Sequence, residues 1–331
     1  MLNRILSNKI TAISILALVC LLNTLSVHGQ LNWTNVSDQY GVLPASVSVF
    51  KTQDQIEGRP NIAFYVEIDT RDKNLGFDVD TTLYRRLTPQ QFYDRNSAPY
   101  IVMNCSFFEF KQNQNVNLIV QDGKMVAFDT PAVSRKGKDT LTFMHTLGSV
   151  FGMNKKREMD IVYNFNDSSF KFPFFQSEPL KPVIDSFQLI NLRNPSLNAL
   201  KPWKVDWAFG GGPVLILNNQ IRITNNEERK FAGKAINDLH PRTAIGFTAD
   251  NKMILLVVQG RMPGIAGGVS LNDLAEIMLK LNCVKAMNLD GGGSSTLLVN
   301  GKETIKPSDS GGQRPVPAVL VIGDGTKKRR M

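Results

Sequence analysis

Apolar and polar positions alternate along most of the chain in short runs bounded by turn dipeptides, a period of two that predicts β-strands. Such runs occupy Ala45–Phe50, Ile62–Ile68 and Tyr100–Met103. Val116–Val120 and Met125–Phe128 flank Asp122-Gly123, a dipeptide suited to a tight hairpin turn. From Trp203 the pattern becomes regular. Pro213–Leu217 and Gln220–Ile223 predict a hairpin around Asn218-Asn219, and Arg242–Phe247 and Met253–Gln259 another around Asp250-Asn251. The period then changes to that of a helix at about 270–282. Ser270 is placed to cap it, and Leu271, Leu274, Ala275, Met278 and Leu281 share one face. Val284–Leu289, Thr296–Val299 (turning at Asn300-Gly301) and Val316–Ile322 complete the strand-like runs. Many hairpins around one clear helix predict an α+β fold with largely antiparallel, twisted sheets.

Two stretches break this pattern. Pro131–Pro202 mixes Lys, Phe, Asn and Pro without a sustained period, which predicts long surface insertions. At the start, Arg4 and Lys9 precede an apolar run from Ile10 to Leu22, with Val27-His28-Gly29 after it. A basic region, a short apolar core and small residues before a cut describe a secretory leader over residues 1–29, too short to span a bilayer comfortably. The expected product is secreted, periplasmic or at the cell surface, with no transmembrane segment after cleavage. A lipid anchor at Cys20 is the competing reading, against which Val19 stands where a small residue is wanted. The expected organisation is a leader (1–29), a β-rich segment (30–99) packing on a main domain (100–325) with insertions at about 131–202, and a basic tail (326–331).

Composition narrows the function classes. With 331 residues, 42% of them hydrophobic and 20% charged, the chain can bury a full core. Its net charge is +9, two of those charges being Arg4 and Lys9 in the leader and four lying in Lys327–Arg330. A basic surface suits an anionic substrate. Export makes nucleic acid an unsuitable partner. Past the leader only Cys105, Cys283, His145 and His240 remain, in no metal-binding spacing, so neither a metal nor another cofactor is expected. The two cysteines read as buried small residues rather than a disulfide framework. The oligomeric state is not legible in the sequence.

The most informative segment is Asn288-Leu289-Asp290-Gly291-Gly292-Gly293-Ser294-Ser295-Thr296. Three consecutive glycines after an apolar strand are costly unless the backbone needs positive φ or a close approach. One reading is an anion-binding turn, with Gly291, Gly292 and Gly293 presenting N–H groups and Ser294, Ser295 and Thr296 adding donors. The other is a tight bend in which Asp290 bonds its own turn. No Gly-Lys-Ser/Thr follows, so it is not a nucleotide-binding P-loop.

The tract AMNLDGGGSSTLLVNG resembles the phosphodiester glycosidase family. So do HPRTAIG (His240–Gly246), VVQGR (Val257–Arg261), GVSLNDLAEIMLKL (Gly268–Leu281) and RPVPAVLVI (Arg314–Ile322). Asn104-Cys105-Ser106-Phe107-Phe108 resembles that family's earlier Asn-Gly-x-Phe-Phe block, so the resemblance spans roughly 100–325. It implies hydrolysis of a sugar-1-phosphate diester at the anomeric carbon. Two positions depart from the pattern: Cys105 replaces a glycine, and Gln259 replaces an aspartate. Phosphate is a good leaving group, so the chemistry asks for cations to hold developing charge and a carboxylate at the anomeric carbon. Arg242 and Arg261 suit the first task. Asp290 is the leading carboxylate and Glu67 a distant second. His240 is a candidate acid/base or a residue of the turn before Pro241, and Asn104 and Asn288 are candidates for sugar hydroxyls or for local backbone bonds. An alternative function is a non-catalytic envelope module binding anionic or phosphorylated glycans through the same groups.

Overall fold

Residues 63–66 are apolar on both faces, and that is only stable where both faces are covered. The computed structural model, which describes residues 31–130, 133–134, 143–184 and 200–326, supplies both covers. The longer strands are β1 (Val47–Thr52), β2 (Ala63–Asp69), β3 (Leu75–Thr81), β4 (Ile101–Asn104), β5 (Ile119–Gln121), β6 (Lys124–Ala127), β7 (Gly148–Met153) and β8 (Met159–Phe165). They continue with β9 (Trp207–Gly210), β10 (Val214–Leu217), β11 (Arg242–Thr248), β12 (Lys252–Val258), β13 (Cys283–Asn288), β14 (Leu297–Val299) and β15 (Ala318–Asp324). An eight-stranded sheet carries β1-β2-β12-β11-β13-β10 in that order. A five-stranded sheet carries β14-β4-β15-β3, and a seven-stranded one β8-β7-β9-β5-β6. Every pairing named here is antiparallel.

The main core lies on one face of the eight-stranded sheet, where Phe64, Val66 and Ile68 of β2 and Leu255 and Val257 of β12 meet Met103 of β4, Leu320 of β15 and Phe151 of β7. On the other face, Ala63, Tyr65, Leu256 and Val258 pack against helix α2 (Leu271–Lys280). The cap predicted at Ser270 is present as a capping box with Asp273, and Leu271, Leu274, Ala275 and Met278 are fully buried. Burying each of the larger side chains stabilises the fold by about 1.5–3 kcal/mol. A shorter helix, α1 (Pro89–Arg95), opens on Thr88 and Pro89 and seats Phe92 on Val102, Leu298 and Val319 of the five-stranded sheet.

Two expectations change here. The fold class is mostly β, with few helices, rather than α+β. The stretch 131–202 is not surface insertion throughout: β7 and β8 lie within it, and Val150, Phe151, Ile161, Val162 and Tyr163 are fully buried. The stretch 30–99 contributes β1 and β2 to the eight-stranded sheet and β3 to the five-stranded one. No helix among the described residues is long and apolar enough to cross a membrane. The leader, Cys20 and Lys327–Arg330 lie outside the described residues. Cys105 and Cys283 are buried free thiols.

Candidate active site at the glycine turn

Antiparallel pairing brings the start of β11, at Arg242, beside the end of β12, at Val258, and Ala244 beside Asn288 at the end of β13. The chain then leaves the eight-stranded sheet and enters β14 of the five-stranded sheet. Residues 289–296 are therefore a bridge between two sheets, and Asn104 at the end of β4 holds it. Its Nδ2 donates to the Asp290 carbonyl at 2.6 Å, and its Oδ1 accepts from the Thr296 N–H and the Thr243 hydroxyl, both at 3.0 Å. The Asp290 N–H donates to the carbonyl of Cys105. Asn104 is thereby spent within the protein, whereas Asn288 donates through Nδ2 to the Gly212 carbonyl and leaves its buried Oδ1 without a partner among the described residues.

The three glycines serve three different contacts. An added Cβ at Gly291 would lie 2.9 Å from the Pro241 carbonyl oxygen. Gly292 has φ +61, and a Cβ there would lie 2.9 Å from Arg261 Nη2. A Cβ at Gly293 would collide with Arg314 and Asp309. The turn's own amides are largely spent within the protein. Gly292 donates to Pro241, Ser294 to Gly291 and Ser295 to Gly292. The Ser295 hydroxyl lies 3.2 Å from that of Thr243 and can donate to it, and Ser294, Ser295 and Thr296 are all buried. The anion-binding row of N–H groups expected from the sequence is thus mostly closed to a ligand.

What the turn does present is the Asp290 carboxyl. It keeps a solvent-facing edge but is packed closely enough that lost hydration raises it to about 6. The Ser294 hydroxyl, the Arg314 charge and the Gly291 N–H pull the other way and only partly offset the rise. On the Gly292 flank stands Arg261, exposed and in a left-handed backbone conformation with φ +60. No carboxylate partners it among the described residues. Its Nη2 lies 3.5 Å from His240 Nδ1. His240 is lowered by its partial burial first and by the charges of Arg242 and Arg261 next, so it is neutral near pH 7.

Arg242 reaches the same corner but is turned inward. It is 3% exposed, donates to the Val269 and Asp238 carbonyls, and lies 5.7 Å over the Phe231 ring. Burial lowers it to about 10, still a cation at neutral pH. Phe231 meets Phe107 edge-on, and Phe107 lines a cavity of about 310 Å³ together with Asp129, Asn166, Glu228 and Lys230. Glu67 is elsewhere. It sits in the middle of β2, two positions along β12 from Leu256, and its carboxylate pairs with Lys252 at 2.7 Å. The strand that carries it was recognisable, but its distance from the β11–β13 corner depends on a register the sequence does not reveal. Gln259 is buried, accepting from the Lys306 N–H and donating to Met262 Sδ. No cluster of three His, Cys, Asp or Glu side chains able to hold a metal occurs among the described residues.

One pair at this site escaped the sequence reading. Arg314 and Asp309 form a two-pronged ion pair against Gly293. Arg314 stands beside Pro-Val-Pro at the entry to β15, a position that marks it as ordered. Asp309 lies in a polar loop without any such mark.

Comparison with known proteins gives the family and the fold. A family model described as phosphodiester glycosidase matches residues 97–323. The bovine N-acetylglucosamine-1-phosphodiester alpha-N-acetylglucosaminidase is 33% identical over 125 residues, 37% of this chain and 23% of that protein. The mouse protein of the same name is 27% identical over 210 residues, 63% of this chain and 33% of its own. The chain thus matches a third or less of these relatives' length. Among solved structures, the catalytic domain of the zebrafish protein, auto-inhibited by its pro-peptide, superposes with a TM-score of 0.56 at 18% identity, covering 89% of each chain. A hypothetical protein from Synechocystis gives the same score at 15% identity, covering 90% of this chain and 68% of that one. Those two show a shared fold. The family model spans most of the chain, and the chain belongs to the phosphodiester glycosidase family.

Proposed function

We propose that this protein is an exported hydrolase that cleaves the bond between the anomeric carbon and oxygen of a sugar-1-phosphate diester. The observation that carries the reading is a glycine turn that presents the partly hydrated Asp290 carboxyl, with Arg261, which no carboxylate partners among the described residues, lying against its Gly292 flank. In this reaction the anomeric carbon gains positive character as its bond to oxygen breaks, and the phosphate monoester departs with the electron pair. Asp290, ionised at neutral pH, faces the positive centre. Arg261 receives the phosphate oxygens in the bidentate fashion a guanidinium allows, next to neutral His240, which can pass a proton. Water supplies the oxygen that ends on the sugar. Arg242 contributes by position and field rather than by grip, since its donors are held by backbone carbonyls. The cavity beyond Phe107 offers room for the rest of the substrate.

The test is incubation of the mature protein with a sugar-1-phosphate diester, reading free reducing sugar and phosphate monoester, alongside Asp290→Asn. Turnover by the wild type and its loss by at least about a thousandfold in a folded variant is the expected result. Binding without turnover in the wild type would instead mark a non-catalytic glycan-binding module.

A further inference from the structure

The third glycine of the turn is explained by a side-chain pair that lies against it. An added Cβ at Gly293 would lie 2.0 Å from Arg314 Nη2 and 2.2 Å from Asp309 Oδ1, so any other residue there would push this pair out of its place. The pair fills that gap in fixed geometry: Nε to Oδ2 at 2.7 Å and Nη2 to Oδ1 at 3.0 Å. The remaining arm, Nη1, points to Ser294 Oγ at 3.5 Å, and the Ser294 hydroxyl is in turn one of the groups that hold the Asp290 carboxyl down. The Phe110 ring lies 5.4 Å from the guanidinium carbon. The loop bearing Asp309 is itself tied down where Lys306 donates to the buried Gln259. Salt bridge, hydroxyl and aromatic ring thus restrain one guanidinium beside the turn.

We propose that Arg314, clamped by Asp309 in the space left by Gly293, is a positioning residue for Asp290: it orients the Ser294 hydroxyl onto the carboxylate and sets the field on that flank of the turn. The proposal rests on the reading of Asp290 as the reacting carboxylate. It separates two arginines that look alike in sequence, since Arg261 has no carboxylate partner among the described residues and is free to take a substrate anion, whereas Arg314 is occupied by Asp309. The other groups around Asp290 do not duplicate the role. Ser294 and the Gly291 N–H are neutral, and burial pushes the Cys105 thiol up to about 12, so it too is uncharged. Arg261, Arg242 and His240 stand on the Gly291–Gly292 flank.

The experiment is a carbon-13 NMR titration of the carboxyl groups in the full mature chain, with the Asp290 resonance assigned by its absence in Asp290→Asn. Removing a neighbouring cation raises a carboxyl midpoint and removing a neighbouring anion lowers it. Arg314→Ala is expected to move the Asp290 midpoint up by roughly 0.5–1 pH unit. Asp309→Asn moves it down, and Arg314→Lys restores it towards the wild type while kcat stays reduced because the fork is lost. An unchanged midpoint in folded Arg314→Ala overturns the proposal. Where that variant does not fold, Asp309→Asn decides, and an unchanged or raised midpoint overturns it. The titration needs no turnover, so failure to hydrolyse a phosphodiester would remove the proposed reaction without touching this result.

Discussion

Asp290 carries opposite demands at the scale of one residue. A carboxyl raised on folding binds its proton more tightly in the folded than in the unfolded chain, so folding stability falls as pH rises between the ordinary aspartate value and about 6. Asp290→Asn removes that cost. Above pH 6 the variant is expected to melt higher than the wild type, by a stabilisation on the order of 1–2 kcal/mol, with the gap closing below about pH 4. Thermal melts at pH 4 and pH 8 check it. If Asp290 reacts as proposed, the same titration is expected to set the low-pH limb of hydrolysis, with kcat/KM rising through about pH 6 as the carboxylate ionises. A limb that stayed in place in other buffers but moved in Arg314 variants would belong to Asp290. The two arginines of the other flank should part company. Arg261→Ala is expected to keep the melting temperature within about 0.5 kcal/mol of wild type and lower kcat/KM by about a hundredfold or more. Arg242→Ala leaves the Asp238 carbonyl without its donor, takes one of two donors from the Val269 carbonyl, removes the packing on Phe231, and is expected to cost about 2–3 kcal/mol of stability. Denaturant midpoints separate the two.

At the scale of the element, the parts legible in sequence are those whose neighbours do not matter. The hairpins at Asp122-Gly123 and Asp250-Asn251 and the helix after Ser270 are local, written in turn dipeptides, capping and period. The strands β7 and β8 were not legible, because Phe, Tyr and Asn in Gly148–Phe165 acquire a core only when β9 pairs alongside. The candidate site divides the same way. Asp290, Arg261 and His240 drew attention by residue type next to turn signals. The inward turn of Arg242, the location of Glu67 and the Asp309–Arg314 pair all depend on register and on loops from distant parts of the chain. The short segment after Thr224 shows how much such long-range ties weigh. Glu228 is buried and accepts from the Ser149 N–H and hydroxyl, the Val214 N–H and the Thr224 hydroxyl. Burial raises its carboxyl nonetheless, the largest of the influences on it. Glu228→Ala strands four donors from three segments and is expected to cost about 3–5 kcal/mol, read as a fall in the urea midpoint.

At the scale of the whole molecule, the chain ends are woven through the middle. β2 pairs with β12 and β15 pairs with β3, although these partners are far apart in sequence. A fragment of residues 100–326 would lose the partner of β12 on one side and of β15 on the other. It is expected not to fold, with circular dichroism and hydrogen exchange showing no protected core, whereas residues 31–326 fold cooperatively.

The bridge between the sheets has a consequence for amide exchange. Loop amides usually trade their hydrogens within minutes, because local fraying opens them. Here the N–H of Asp290, just past the eight-stranded sheet, is held by the carbonyl of Cys105, just past β4 of the five-stranded one, so opening that bond means parting the two sheets, while the N–H of Thr296 is held within the five-stranded sheet by the Asn104 side chain. These two irregular positions should exchange nearly as slowly as the central strands. Asn104→Ala would release the Thr296 N–H directly and take the donor from the Asp290 carbonyl, leaving the Asp290 N–H on Cys105. A mass increase confined to peptides covering 289–296, arriving before any strand exchanges, would register the seam coming undone.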